Sequence, residues 1–150
     1  MIKVLFVCHG NICRSPMAEF LFKDYVLKQN TSDMFYIESK ATSSEEIGNG
    51  VHYGTKKILN SLGIDCSLKK AKRIMFEDYE KFDYIIGMDE YNIKNMKLFF
   101  KKDDKISLLM SYVGVDRGIS DPWYTGDFNE TYNDIKLGIE AFYKYVMERR

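Results

Sequence analysis

Cys8 and Arg14 lie six residues apart in the segment Cys8-His9-Gly10-Asn11-Ile12-Cys13-Arg14-Ser15. A thiol and a guanidinium at that spacing can address one anionic group between them. The thiol supplies a nucleophile, and the guanidinium offers a two-pronged donor to two oxygens of a phosphate. Gly10 and Asn11 tolerate left-handed backbone angles, so the chain between can curl with its N–H groups turned inward. A helix that starts under such a curl adds partial positive charge. Inward amides above a helix start make an anion cradle, and the same field favours thiolate over thiol. The pattern therefore points to phosphoryl chemistry at sulfur, with Cys8 as nucleophile. Arg14 and the amides would hold the transferred charge. Two other phosphate-binding patterns are excluded. No GxxxxGK[ST] run occurs, and Gly48-Asn49-Gly50 is followed by Tyr53 where a GxGxxG loop needs glycine.

The elements that must position this loop can be read on either side of it. Val4-Leu5-Phe6-Val7 is a continuous apolar run, as expected of a strand buried on both faces of a parallel sheet. Ser15 suits an N-cap and Pro16 a first helical turn, which predicts a helix over about 15–29 with Met17, Phe20, Leu21 and Leu27 inward. Further strands are expected at Met34–Glu38, Asp83–Met88 and Ile106–Leu109. Helices are expected over Thr55–Leu62 (Ile58, Leu59 and Leu62 inward, Gly63 as stop) and Phe76–Lys81. Another runs from an Asp89 cap to Phe99, and a last one over Asn129–Met147 presents Tyr132, Ile135, Ile139, Phe142 and Val146 on one face. Residues 118–126 read as loop. Strands alternating with helices predict an α/β fold with a parallel sheet, arranged as one unit over residues 1–150. Ligands of such sheets bind beyond the carboxyl ends of the strands, where the Cys8–Ser15 loop falls.

Composition excludes several other classes. Twenty-two Lys and Arg balance 22 Asp and Glu, without the basic excess of a nucleic-acid binder. No apolar run approaches the ~20 residues of a membrane span, and the run after Met1 is too short for a signal peptide. Three cysteines, an odd number, do not make a secreted disulfide framework, and this predicts a reducing, cytoplasmic setting. His9 and His52 read as a loop residue and a helix-start residue rather than zinc ligands. Cys66 reads as a packing residue, and Lys69-Lys70-Ala71-Lys72-Arg73 as a solvated face able to meet acidic proteins.

The run VCHGNICRSPMAEF at residues 7–20 resembles the signature loop and first helix of the low-molecular-weight protein tyrosine phosphatases. Asp121-Pro122-Trp123-Tyr124 resembles the family's Asp-Pro-aromatic-Tyr loop. Ala41-Thr42-Ser43, Ile47-Gly48-Asn49, Phe82-Asp83-Tyr84-Ile85-Ile86 and Met88-Asp89-Glu90 add to the likeness, which runs from residue 3 to about 145. The resemblance implies a four-stranded parallel sheet with helices on both faces and the phosphate-binding loop between first strand and first helix. It implies Cys8 as the nucleophile that becomes a phosphocysteine, Arg14 as phosphate ligand, and Asp121 as general acid and then base. His9, Gly10, Asn11, Ile12, Cys13, Arg14 and Ser15 would form the phosphate cradle. Ser15 would hydrogen-bond the Cys8 sulfur, and Asn11 would hold the curl. Ile12, Glu45, Trp123 and Tyr124 would line the substrate slot, and Cys13 would be a redox partner of Cys8. Phosphotyrosine proteins or peptides are the implied substrates and inorganic phosphate the product; no metal or organic cofactor and no nucleic-acid or membrane partner is implied.

Departures from the family pattern bear on specificity. Glu45 stands where many relatives carry an aromatic residue, His9 where Leu is common, and Lys69 near a position held by His in some animal members. Asn49-Gly50-Val51 replaces a proline-rich stretch, and the pattern lies closer to bacterial members. Arsenate reductases of the same fold need two further mid-chain cysteines, and only Cys66 lies beyond the loop. Protein arginine phosphatases typically carry Thr where this chain has Ile12, whose apolar side chain suits a phenyl ring. A non-catalytic phosphate-binding or redox-sensing module would be expected to lack Cys8, Arg14 or Asp121, and all three are present.

Overall fold

A computed structural model describes residues 1–150. Its sheet is formed by β1 (Ile2–Cys8), β2 (Phe35–Ala41), β3 (Tyr84–Gly87) and β4 (Ile106–Leu108), all parallel, in the order β2-β1-β3-β4. The helices are α1 (Arg14–Lys28), α2 (Tyr53–Ser61), α3 (Asp78–Lys81), α4 (Glu90–Phe100), α5 (Pro122–Thr125) and α6 (Phe128–Arg149). The chain leaves β1 for one neighbour, β2, and later returns to the other side as β3. The end of β1 is thus the switch point where the strand order reverses, and a crevice opens there. Register brings Cys8 beside Ala41, and Val7 beside Gly87, so the loops after β1, β2 and β3 emerge together.

Side-chain alternation along β1 divides the interior in two. Val4, Phe6 and Cys8 point into a core shared with α1 and α6, where Phe22 meets Phe6 edge-on at 5.8 Å and Phe142 at 5.5 Å. Leu5 and Val7 point to the opposite face, against Tyr79 and Phe82 near α3 and Ile93, Met96 and Phe100 of α4. Both faces are covered, which is why the Val4–Val7 run is apolar throughout. None of the helices is long and apolar enough to cross a membrane.

Several local expectations are corrected. The first helix begins at Arg14 with Cys13 in the cap position and no capping side chain; Ser15 lies inside it, with its hydroxyl engaged elsewhere. Leu27 and Leu62 face solvent at the ends of their helices, while Phe22 and Val26 supply the burial that periodicity gave to Leu27. The helix expected from Phe76 starts at Asp78, and residues 122–125 of the expected loop form the short turn α5. Asp89 does cap α4. Its Oδ1 accepts from Asn92 N at 2.9 Å, while Asn92 Oδ1 accepts from Asp89 N at 3.0 Å, a reciprocal capping box.

Candidate active site

Cys8 ends β1 and is buried, with its sulfur at the floor of the loop that follows. Three donors surround Sγ: Asn11 N at 3.3 Å, Ser15 N at 3.4 Å and the Ser15 hydroxyl at 3.0 Å. Ser15 Oγ accepts from Asn11 Nδ2 at 2.8 Å, which leaves its own hydrogen free for the sulfur. Three donors thus converge on one sulfur.

The curl itself depends on Asn11. Asn11 is the loop residue in the left-handed region, at φ 59°, while Gly10 has ordinary angles, a correction to the expectation that both would share that role. Its side chain, almost fully buried, spends every polar atom on neighbouring segments. Nδ2 donates to Ser15 Oγ and to Ser39 Oγ at 2.9 Å, and Oδ1 accepts from Lys72 N at 3.1 Å. With the loop so fixed, the amides of Gly10, Ile12 and Cys13 donate to nothing within the protein. They are the free donors an anion cradle requires.

Arg14 is 2% exposed and reaches across the crevice. Nη1 donates to Asp89 Oδ2 at 2.6 Å and to the Ile119 carbonyl at 2.9 Å, and Nη2 lies 3.4 Å from Asp121 Oδ2. Burial works against the guanidinium charge, but the Cys8 sulfur and the Asp89 carboxylate outweigh it and raise its pKa further. Asp121 is in turn fixed at its other oxygen, where Oδ1 accepts from Trp123 N at 3.0 Å and starts α5. The loop carrying Asp121 can approach because residue 118 is glycine; a Cβ there would lie 2.7 Å from Asp89 Cβ.

An open pocket joins these parts. Cys8, Arg14 and Asp121 border it, together with Ile12, Glu45, Trp123 and Tyr124. Asn11 and Ser15 do not line it; they stand behind the loop and hold its shape. Glu45 does not leave a bare gap in the wall. Its Oε2 pairs with His9 Nε2 at 2.8 Å, so two departures from the family pattern meet as one polar wall. Cys13 also borders the pocket. Burial, followed by the charges of Cys8 and Asp121, pushes its thiol up to about 12, which works against the thiolate form a disulfide exchange needs.

Four contributors are not apparent as site residues from the sequence. The sequence marks Asp89 as a helix cap; its place just after β3, next to β1 in the sheet, is the signal for its second role. Ser39 and Glu19 extend the support behind Asn11, since Ser39 Oγ donates to Glu19 Oε1 at 2.6 Å. Lys69 closes that network, with Nζ 2.8 Å from Ser39 O and 3.2 Å from Glu19 Oε1. The stretch 69–73 is therefore not a plain solvated face: Lys69 and Ala71 turn inward and Lys72 N holds Asn11.

Residues 3–150 match the family described as Low molecular weight phosphotyrosine protein phosphatase. The chain belongs to this family. It is 38% identical to the low molecular weight protein-tyrosine-phosphatase YfkJ of Bacillus subtilis, over all of this chain and 99% of that one. The crystal structure of YfkJ superposes with a TM-score of 0.96, covering 100% of this chain and 97% of that one. The human low molecular weight phosphotyrosine protein phosphatase is 40% identical, covering 93% of this chain and 92% of its own. The crystal structure of the Streptococcus pyogenes enzyme SP-PTP shares 47% identity and a TM-score of 0.87, over 97% and 93% of the two chains. The protein is thus a protein-tyrosine-phosphatase, a phosphoric monoester hydrolase, with the four-stranded α/β fold of its relatives.

Proposed function

We propose that this phosphatase hydrolyses phosphotyrosine in proteins or peptides through a phosphocysteine formed on Cys8. The observation that carries the reading is the convergence on one pocket of a three-donor sulfur, a buried guanidinium and a carboxylate fixed at one oxygen. In the first step the Cys8 thiolate attacks phosphorus, and the S–P bond forms as the P–O bond to the ring breaks. Asp121, as the acid, gives its proton to the leaving phenolate. Arg14 and the free amides of Gly10, Ile12 and Cys13 hold the equatorial oxygens throughout. In the second step Asp121, now a carboxylate, takes a proton from water as the water oxygen attacks phosphorus. The S–P bond breaks with its electron pair left on sulfur, inorganic phosphate leaves, and the Ser15 hydroxyl donates to the re-formed thiolate.

The slot supports an aryl ester. Ile12, Trp123 and Tyr124 supply apolar and aromatic lining for a phenyl ring. The Cys13 redox role stays part of this reading only once oxidation has neutralised Cys8, which removes one of the charges that hold the Cys13 thiol protonated.

The test is phenolate release from an aryl phosphate between about pH 4 and 8, with Asp121→Ala expected to lower kcat about 100-fold or more. Cys8→Ser should abolish turnover and leave no trapped phosphoenzyme after acid quench. A phosphotyrosine peptide and a phosphoarginine peptide are compared in parallel. Faster turnover of phosphotyrosine supports the reading; preference for phosphoarginine overturns its substrate half while leaving the sulfur chemistry intact.

A further inference from the structure

The start of α2 is docked on the outer edge of the phosphate loop. His52 N donates to the Ile12 carbonyl at 2.8 Å, and Thr55 Oγ1 donates to the Cys13 carbonyl at 3.0 Å. The His52 side chain is itself committed. Its Nδ1 accepts from Gly54 N at 3.0 Å and caps α2, which places the neutral ring's proton on Nε2. One face of the ring stacks on Phe128 at the start of α6, with centroids 5.0 Å apart and planes 17° from parallel. That approach requires glycine at residue 54, where a Cβ would lie 2.5 Å from the Phe128 ring.

Trp123 also packs against this imidazole. The two rings meet edge to face at 5.5 Å and 77°. Trp123 lines the pocket and is 56% exposed, and its indole N–H bonds to nothing in the protein. His52 is its one aromatic neighbour, so the orientation of the indole depends on packing against that imidazole. One residue therefore touches both walls of the slot: its amide fixes Ile12, and its ring backs Trp123.

We propose that His52 is a positioning residue for the aromatic slot, setting the separation of Ile12 and Trp123 and with it the affinity for the phosphotyrosine ring. This rests on the pocket being a phosphotyrosine slot, and it adds a residue that neither lines the pocket nor touches phosphate. A helix cap alone would make His52 important for folding. The ring behind Trp123 makes it important for substrate binding, and two substitutions separate these roles. His52→Asn keeps a good N-cap and the backbone amide but removes the ring. His52→Phe keeps a ring between Trp123 and Phe128 but removes the capping acceptor.

The readouts are KM and kcat for a phosphotyrosine peptide, competitive inhibition by inorganic phosphate, and fluorescence of Trp123, the only tryptophan in the chain. In His52→Asn, KM should rise about threefold to tenfold, the range of one aromatic pair, with kcat within about twofold. Phosphate inhibition should stay as in the parent, because phosphate occupies the cradle and not the slot. Trp123 should become easier to quench with acrylamide and show lower anisotropy. His52→Phe should keep the parental KM and anisotropy while melting at a lower temperature. Parental KM and anisotropy in His52→Asn would overturn the proposal, and so would a loss of phosphate inhibition in step with KM. A parent protein that turns over no phosphotyrosine peptide would defeat the reading of the site. The fluorescence of the two variants would still decide whether His52 supports Trp123.

Discussion

Asp89 Oδ2 lies 2.6 Å from Arg14 Nη1, whereas Asp121 Oδ2 lies 3.4 Å from Arg14 Nη2. The two carboxylates share one guanidinium unequally, and the capping box explains why. Asp89 commits Oδ1 to Asn92 N and so aims Oδ2 at Arg14, while Asp121 is tethered to Trp123 N and approaches only loosely. The tight contact belongs to the helix-capping carboxylate, and the loose one to the carboxylate proposed above as the proton donor. Arg14 is thereby held at Nη1 by Asp89 and the Ile119 carbonyl.

Asp89→Asn isolates that orienting charge, because asparagine caps a helix as well as aspartate does. Losing the charge-assisted bond to a buried guanidinium should cost about 1–3 kcal/mol of stability. Inhibition by inorganic phosphate should weaken, and kcat should fall about tenfold as Arg14 loses its fixed edge. Urea unfolding and phosphate inhibition measured on the same preparation check both halves; parental phosphate affinity would show that Asp89 acts only on α4.

Asn11→Ala removes side-chain bonds to Ser15, Ser39 and Lys72 at once and puts a Cβ-bearing residue with no compensating polar group at φ 59°. Three unmade hydrogen bonds and the left-handed penalty together predict a loss of about 3–5 kcal/mol. Asn11→Gly relieves the backbone part only, so it should recover about 1 kcal/mol in denaturant titration. Both variants should raise KM for aryl phosphates, because the free amides of the cradle point inward only while the curl is held.

Much of this arrangement was legible from residues that act locally. The Val4–Val7 run, the Asp89 cap and the Ile135–Ile139–Phe142–Val146 stripe each carry their own signal, and the structure places each as read. The Cys8 to Arg14 segment was legible because strand, curl and helix are consecutive in the chain. What escaped were roles created by distant partners. Ser15 looks like a helix cap until Cys8 and Asn11 claim its hydroxyl. Leu27 and Leu62 fit a helical stripe, but each sits where its helix runs past the core. Asp89 joins the site because β3 lies beside β1, Ser39 because β2 does, and Lys69 because its ammonium reaches Ser39 and Glu19.

Lys69 illustrates the cost of such a role. Burial lowers its pKa, with Glu19 acting in the opposite direction, and the ammonium also serves the Ser39 carbonyl. Lys69→Met leaves Glu19, 4% exposed, with Lys23 and Ser39 as its remaining partners and should destabilise the protein by about 3 kcal/mol. Glu19→Gln with Lys69→Met should cost less than the sum of the singles, by about 1–3 kcal/mol of coupling in urea titrations. Additive losses would mean that the two charges do not act as a pair.

Cys13 gives the protein a predictable alkaline weakness. Its thiol titrates near 9.0 in an unfolded chain and is pushed up to about 12 in the fold, first by burial and then by the charges of Cys8 and Asp121. Below pH 9 both states keep the proton, and the contribution to stability is complete. Above that value the unfolded chain releases the proton while the fold retains it, so stability falls by up to about 1.4 kcal/mol per pH unit until about pH 12. Tyr112, Tyr84, Tyr25 and Tyr79 are shifted upward by burial as well and add to the same decline. A difference measurement separates them. Urea midpoints of the parent and of Cys13→Ala, taken at about pH 8 and about pH 10.5, should draw together as pH rises, because only the parent carries the Cys13 penalty. A gap that stays constant over that interval would show that Cys13 ionises in the fold as readily as it does in the unfolded chain.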